Sequence, residues 1–260
     1  MKPDISEFSY GFALVDELIH WHGMQLSAVP IYPSLYEEGQ SGIGYDVFLN
    51  TVGFPLFLQF KLSDCLLRRN SRECRMGLLN VPFYRIKLRP TRYSHQHPSL
   101  VALETNGNLV FYAAPLFHLP NELNNAFLNR QILDQSVLIK PSSIGQLPDD
   151  RAHSVSFENS YLGYLFSEPK KIGNIYSFEK LNEQLMTDFK KEKFVNLSES
   201  YLSQLARTMI SILIENIREK SKIKEIDFSK LLDSLRPLKL VSYLARTFYD
   251  CDFLIITSKK

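Results

Sequence analysis

Cysteine is scarce in this sequence, and its three copies, Cys65, Cys74 and Cys251, are an odd number without the close pairing of a zinc site. They read as free thiols of a reducing compartment. No apolar run approaches the roughly 18 residues of a membrane span. The opening Met1-Lys2-Pro3-Asp4 lacks an apolar signal stretch, so the cytoplasm is the expected location. A glycine-rich phosphate loop and a nucleophile elbow are both missing, which removes the local signals of phosphate-loop and serine-hydrolase chemistry. Internal repeats and low-complexity segments are missing too. An excess of charge of one sign is also lacking: the net is +2.

Charge is nevertheless unevenly placed. From Lys61 to His97 nine cations face only Asp64 and Glu73, a local net of +7 that leaves the remainder at −5. A basic block within a mildly acidic chain is a candidate surface for a polyanion, with a solvated helix face as the plainer alternative. Ser63 to Met76 reads as a helix. On it Arg68, Arg72 and Arg75 share one stripe, with Arg69 beside them.

Apolar periodicity predicts a helix over Ser6–His22, capped by Ser6, its apolar face centred near Phe8, Val15 and Ile19. Pro30 to Gly44 is loop. Tyr45–Leu49 and Pro55–Lys61 read as strands paired in a hairpin. Further strands are expected at Phe83–Leu88, Leu100–Glu104, Leu109–Ala114, Ser136–Lys140 and His153–Phe157. Asn106-Gly107 reads as a tight turn between two of them. Asn121–Asn129 looks helical. Beyond about Ser177 the pattern becomes helical, with Ser198 as a cap and Pro237 in a first turn. Phe253–Thr257 is a last strand. The expected organisation is an α/β domain over 1–175 and a helical C-terminal lobe over 176–260, for target recognition or partner docking.

The chemistry-bearing stretch is Gly42-Ile43-Gly44-Tyr45-Asp46-Val47-Phe48, followed by Leu56-Phe57-Leu58-Gln59-Phe60-Lys61. Gln59 and Lys61 share one face of their strand, while Leu56, Leu58 and Phe60 share the other. A lysine ending so apolar a strand needs a carboxylate, because a buried ammonium is costly alone. Asp46 is placed to supply one across the hairpin. An acid at a strand start, a hairpin and an apolar strand ending in Gln-x-Lys resemble the PD-(D/E)XK nuclease superfamily, in the variant found in Mrr-like restriction enzymes. The resemblance covers roughly residues 5–120. No proline precedes Asp46, whose neighbour is Tyr45.

The resemblance implies a restriction-endonuclease-like mixed central sheet flanked by helices, with Mg²⁺ or Mn²⁺ as cofactor. It implies hydrolysis of phosphodiester bonds, with DNA favoured over RNA, in restriction or anti-phage defence. Asp46 and Gln59 would be metal ligands. Lys61 would orient the attacking water and offset developing charge. The family also places a glutamate on the preceding helix. Glu7 is favoured over Glu17 because it borders the apolar face, and Glu37 and Glu38 rank third. First-turn dipole complementarity is the structural explanation for Glu7. Arg68, Arg69, Arg72, Arg75, Arg85 and Lys87 would grip phosphates. The alternatives are a catalytically inactive nuclease fold that binds nucleic acid or joins a defence complex, and an interaction protein that pairs through its helical lobe. A homodimer is compatible with each. The pairs His20/His22 and His95/His97 read as structural, and Asp149-Asp150 as turn residues.

Overall fold

The computed structural model describes residues 1–21, 24–26, 52–147, 151–159, 161–166, 168–173, 175–216 and 228–258. Asp46, its strand 45–49, Glu37, Glu38, His22, Asp149 and Asp150 lie outside them.

Helix α1 (Glu7–Ile19) begins where expected, with the Ser6 hydroxyl accepting the Ser9 N–H at 3.0 Å. Its buried face is not the expected one. Phe8 and Phe12 are 71% and 60% exposed, and Tyr10, Leu14, Glu17 and Leu18 point inward. Distant partners set that rotation. Tyr10 donates to Ser136 Oγ at 2.8 Å, and Glu17 accepts the Ile132 and Leu133 N–H groups at 2.7 and 3.4 Å. Gly11 lets the helix lie directly on Phe60, where a Cβ would meet the ring at 2.8 Å.

The protein is α/β, with a mixed sheet flanked by helices. Strands β1 (Met24–Leu26) and β2 (Val52–Phe60) open it. The chain then leaves through β3 (Asp64–Leu66), α2 (Arg72–Arg75) and β4 (Phe83–Leu88). It returns by α3 (Gln96–Thr105) to β5 (Leu109–Pro115), which lies parallel to β2. Parallel neighbours require such a crossover. Next come α4 (Pro120–Leu128), β6 (Ser136–Ile139) and α5 (Pro141–Ile144). β7 (His153–Phe157), β8 (Gly163–Phe166) and β9 (Pro169–Ile172) complete a second sheet, ordered β3-β4-β7-β8-β9 and antiparallel throughout. β10 (Ile175–Tyr176), α6 (Phe178–Lys190), β11 (Val195–Asn196), α7 (Glu199–Asn216), α8 (Phe228–Ser234), α9 (Pro237–Phe248) and β12 (Asp252–Ser258) finish the chain.

Among the described residues the main sheet runs β1-β12-β2-β5-β6-β10, with β11 on the start of β2. The last strand therefore lies between the first two. Leu56, Leu58, Phe111 and Leu254 pack with α1 and α6 on one face. Phe57, Val110, Tyr112 and Phe253 pack on the other with α3, α7, α9 and the second sheet. The expected boundary at 175/176 falls within β10, and β12 from the C-terminal segment lies between β1 and β2 of this sheet.

Over Phe54–Leu58 the antiparallel neighbour of β2 is β12, with Leu58 opposite Asp252. Two local expectations are corrected. Leu100–Glu104 belongs to α3, so Asn106-Gly107 ends a helix, with Gly107 at φ +88°, instead of turning a hairpin. A short apolar run does not distinguish helix from buried strand. The expected arginine helix over Ser63–Met76 is one short turn, Arg72–Arg75, because Asp64–Leu66 is drawn into pairing with β4. Among the described residues no helix is long and apolar enough to cross a membrane.

Candidate active site

β2 is buried on both faces until its last residues, where its chemistry changes from apolar to polar. Gln59 is 1% exposed and lies in register beside Tyr112 of β5. The Lys61 N–H donates to Ala113 O at 2.9 Å and holds that residue one step beyond the strand. On the other side, antiparallel β12 brings its own beginning to the same place. There α9 ends at Tyr249, and Asp250 adopts φ +52°, a left-handed conformation that aspartate tolerates better than most residues. Cys251 N–H then returns to Ala245 O at 3.0 Å.

Asp250 Oδ2 accepts two amide donors: Gln59 Nε2 at 3.3 Å and Gln96 Nε2 at 3.0 Å. Gln96, in the first turn of α3, also donates to Tyr249 O at 3.1 Å. With Nε2 of Gln59 turned to the carboxylate, its Oε1 is buried without a partner. Such an orphan is uncommon and costs stability unless a ligand satisfies it. The neighbouring acid Asp252 is committed to Arg246.

Glu7 reaches this cluster from the first turn of α1. Burial raises its pKa, and the nearby Asp250 charge adds to the rise; Lys61, the Leu62 N–H and Arg89 act against it. Lys61 is shifted downward, first by burial, while Glu7 and Asp250 pull it back up and Arg89 lowers it further. Two acids and a lysine thus influence one another, with Lys61 half-buried and Glu7 and Asp250 open to solvent.

Glu7, Lys61 and Asp250 line a cleft of about 1180 Å³. Six lysine and arginine side chains line it (Lys2, Lys61, Arg85, Lys87, Arg89 and Arg92) against the carboxylates of Glu7, Asp64 and Asp250. The cations are not equivalent. Arg85 is bound to buried Glu73, with Nη2 to Oε1 at 2.5 Å, and Ser156 Oγ donates to the same oxygen at 2.7 Å. Lys87 pairs with Asp64 at 2.6 Å. Among the described residues Arg89 and Arg92 have no ion pair.

Of the residues singled out by sequence, Glu7 and Lys61 line the cleft together, and Gln59 is linked to it through its hydrogen bond to Asp250. Arg85 and Lys87 line the cleft but are already paired. Arg68, Arg69, Arg72 and Arg75 are exposed and do not line it. Glu17 is spent on backbone N–H groups. His97 is buried, with Nδ1 2.9 Å from Tyr112 Oη and Nε2 2.7 Å from Gly145 O, so it is a packing residue. Sequence reasoning missed Asp250 and Gln96. The signal for Asp250 was present: an acid just before the apolar strand Phe253–Thr257, the same pattern sought at Asp46.

A divalent cation fits this donor set in chemistry. Two carboxylates and an unsatisfied amide oxygen are hard ligands of the kind Mg²⁺ prefers, with water completing its shell. The set is sparse, because among the described residues no three His, Cys, Asp or Glu side chains gather around one point. Compared with protein-family models, curated proteins and solved structures, the chain matches none.

Proposed function

We propose that this protein is a divalent-metal-dependent nuclease that hydrolyses phosphodiester bonds, with DNA the favoured substrate. The observation that carries this reading is the partnerless, buried Oε1 of Gln59, a side chain that donates to Asp250, which itself lines a cation-rich cleft with Glu7 and Lys61. Glu7, Asp250 and Gln59 Oε1 would hold the cation, which would supply Lewis-acid charge and a water of lowered pKa. Gln96 fixes the rotamer of Asp250 by donating to Oδ2. Lys61 offsets the negative charge that develops on the phosphoryl oxygens, and burial strengthens that interaction. Arg89 and Arg92 hold flanking phosphates without reading sequence. The likeness of the Gln-x-Lys strand to Mrr-like enzymes suggests restriction or anti-phage defence as the setting.

The test is cleavage of labelled DNA by purified protein in Mg²⁺ or Mn²⁺ against a chelator control. Lys61→Ala and Asp250→Asn are expected to abolish cutting. Asp46→Ala asks whether the sequence-matched acid belongs to the same site. Cleavage at wild-type rate by both the Lys61 and Asp250 variants overturns the assignment.

A second reading is favoured by one feature: Gln59 stands where the family motif commonly has glutamate, and only two carboxylates reach the described site. It is the same fold kept as a catalytically inactive nucleic-acid-binding subunit. Salt-sensitive DNA binding without cleavage in any metal selects it.

A further inference from the structure

Resting on the proposed action on nucleic acid in this cleft, we infer that the substrate enters as a single strand, with one unpaired base stacked on Tyr93. Tyr93 lines the cleft, yet its side chain is 69% exposed. The Arg92 guanidinium lies 4.5 Å from the ring centroid and covers one face. The exposure leaves the other face open. The backbone that carries the ring is held by a local turn, in which the Tyr93 and Ser94 N–H groups both donate to Pro90 O at 2.9 and 3.2 Å. Three residues further on, Gln96 grips Asp250. One short segment therefore ties an aromatic platform to the carboxylate of the site.

The surrounding charge has the matching character. Arg85 and Lys87 are neutralised by Glu73 and Asp64, whereas Arg89 and Arg92, on either side of the turn's start, have no carboxylate partner among the described residues. Free cations beside an exposed ring are the elements of single-strand recognition, in which phosphates follow the charge and bases stack on aromatics regardless of sequence. A duplex cannot use the ring in this way, because the faces of its bases are covered by their neighbours. The chemistry is shared by DNA and RNA.

Binding is measured by fluorescence anisotropy in chelator, so that no strand is cut. The probes are oligodeoxyuridylate, oligouridylate and a blunt DNA duplex of the same length. Single strands are expected to bind more tightly than duplex. Tyr93→Ala is expected to weaken single-strand binding by roughly 5- to 150-fold. Tyr93→Trp is expected to preserve it, and duplex binding should change less than about twofold in either variant, as non-specific phosphate contact requires. The tighter of the two oligonucleotides identifies the sugar. Single-strand binding that is indifferent to Tyr93→Ala, or a preference for blunt duplex, overturns the inference. The two proposals fail separately. Tyr93-dependent binding without cleavage in Mg²⁺ or Mn²⁺ removes the hydrolytic reading alone. Metal-dependent cleavage of duplex by wild type and Tyr93→Ala alike removes the single-strand inference alone.

Discussion

Glu7 and Glu17 stand at opposite ends of α1, and burial raises the pKa of both. Their surroundings differ in kind. Glu17 is closed in by fixed donors, the N–H groups of Ile132 and Leu133. Glu7 faces a lysine, an arginine and a second carboxylate across a cleft. A perturbed carboxyl alone therefore does not mark a functional site. What separates the two is whether the neighbours are spent on the fold or left available to a ligand. The cations repeat the contrast: Arg85 is committed to Glu73, and Arg89 is open to the cleft.

The largest expected effect belongs to the open groups. Lys61→Ala and Asp250→Asn should each lower metal-dependent cleavage by roughly 10²- to 10⁴-fold. The melting temperature should stay close to that of wild type, since asparagine keeps the left-handed conformation at 250. A large loss of stability in either variant would place these residues with the closed kind. Next, Arg85→Ala leaves Glu73, 1% exposed, without its counter-ion. Removing one partner of a buried pair costs about 3 kcal/mol. Arg89→Ala should leave stability unchanged and instead reduce the salt dependence of DNA binding by about one phosphate contact. Chemical denaturation and a salt titration check the two together, and equal behaviour of the two variants would erase the distinction. Third, Glu17→Ala strands two backbone donors and should cost about 2 kcal/mol, or about 4–8 °C. Cleavage per folded molecule should be unaffected.

How much of this could be seen beforehand follows the range of each interaction. The Ser6 cap, the helices over Phe178–Phe189 and beyond Ser198, and the strands Phe83–Leu88 and Leu109–Ala114 are local patterns, and they lie where periodicity puts them. Gln59 and Lys61 share a strand, so their proximity is also local. Asp250 is 191 residues from Gln59, and no local signal says that the last strand inserts beside the second. The segment 45–49 is the nearer candidate in sequence, and near partners dominate any reading made without the fold. The face of α1 was misread for the same reason. Tyr10 and Glu17 are drawn inward by Ser136, Ile132 and Leu133, all more than a hundred residues away. The arginines of 68–75 looked like a stripe only on the assumption of a helix. Pairing of Asp64–Leu66 with β4 removes that helix and leaves Arg85–Arg92 as the part of the basic block that meets the cleft.

The smallest effect tests the closed end of α1 by pH. The folded-state pKa of Glu17 lies above its ordinary value of 4.5, chiefly through burial, against which the Ile132 and Leu133 N–H groups act. Below pH 4.5 the carboxyl is protonated in both folded and unfolded chains and contributes no difference. As pH rises above 4.5 the unfolded chain ionises first, so the folded state loses stability until the pH passes the raised value. Glu17→Gln keeps an acceptor oxygen and cannot ionise. It should resemble wild type near pH 4 and gain on it as the pH rises to 7. Urea unfolding at the two pH values measures this. If wild type instead gains on the glutamine variant over that interval, the two N–H donors stabilise the charged carboxylate more than burial penalises it. Glu17 would then be a depressed acid, opposite in sign to Glu7 rather than its structural counterpart.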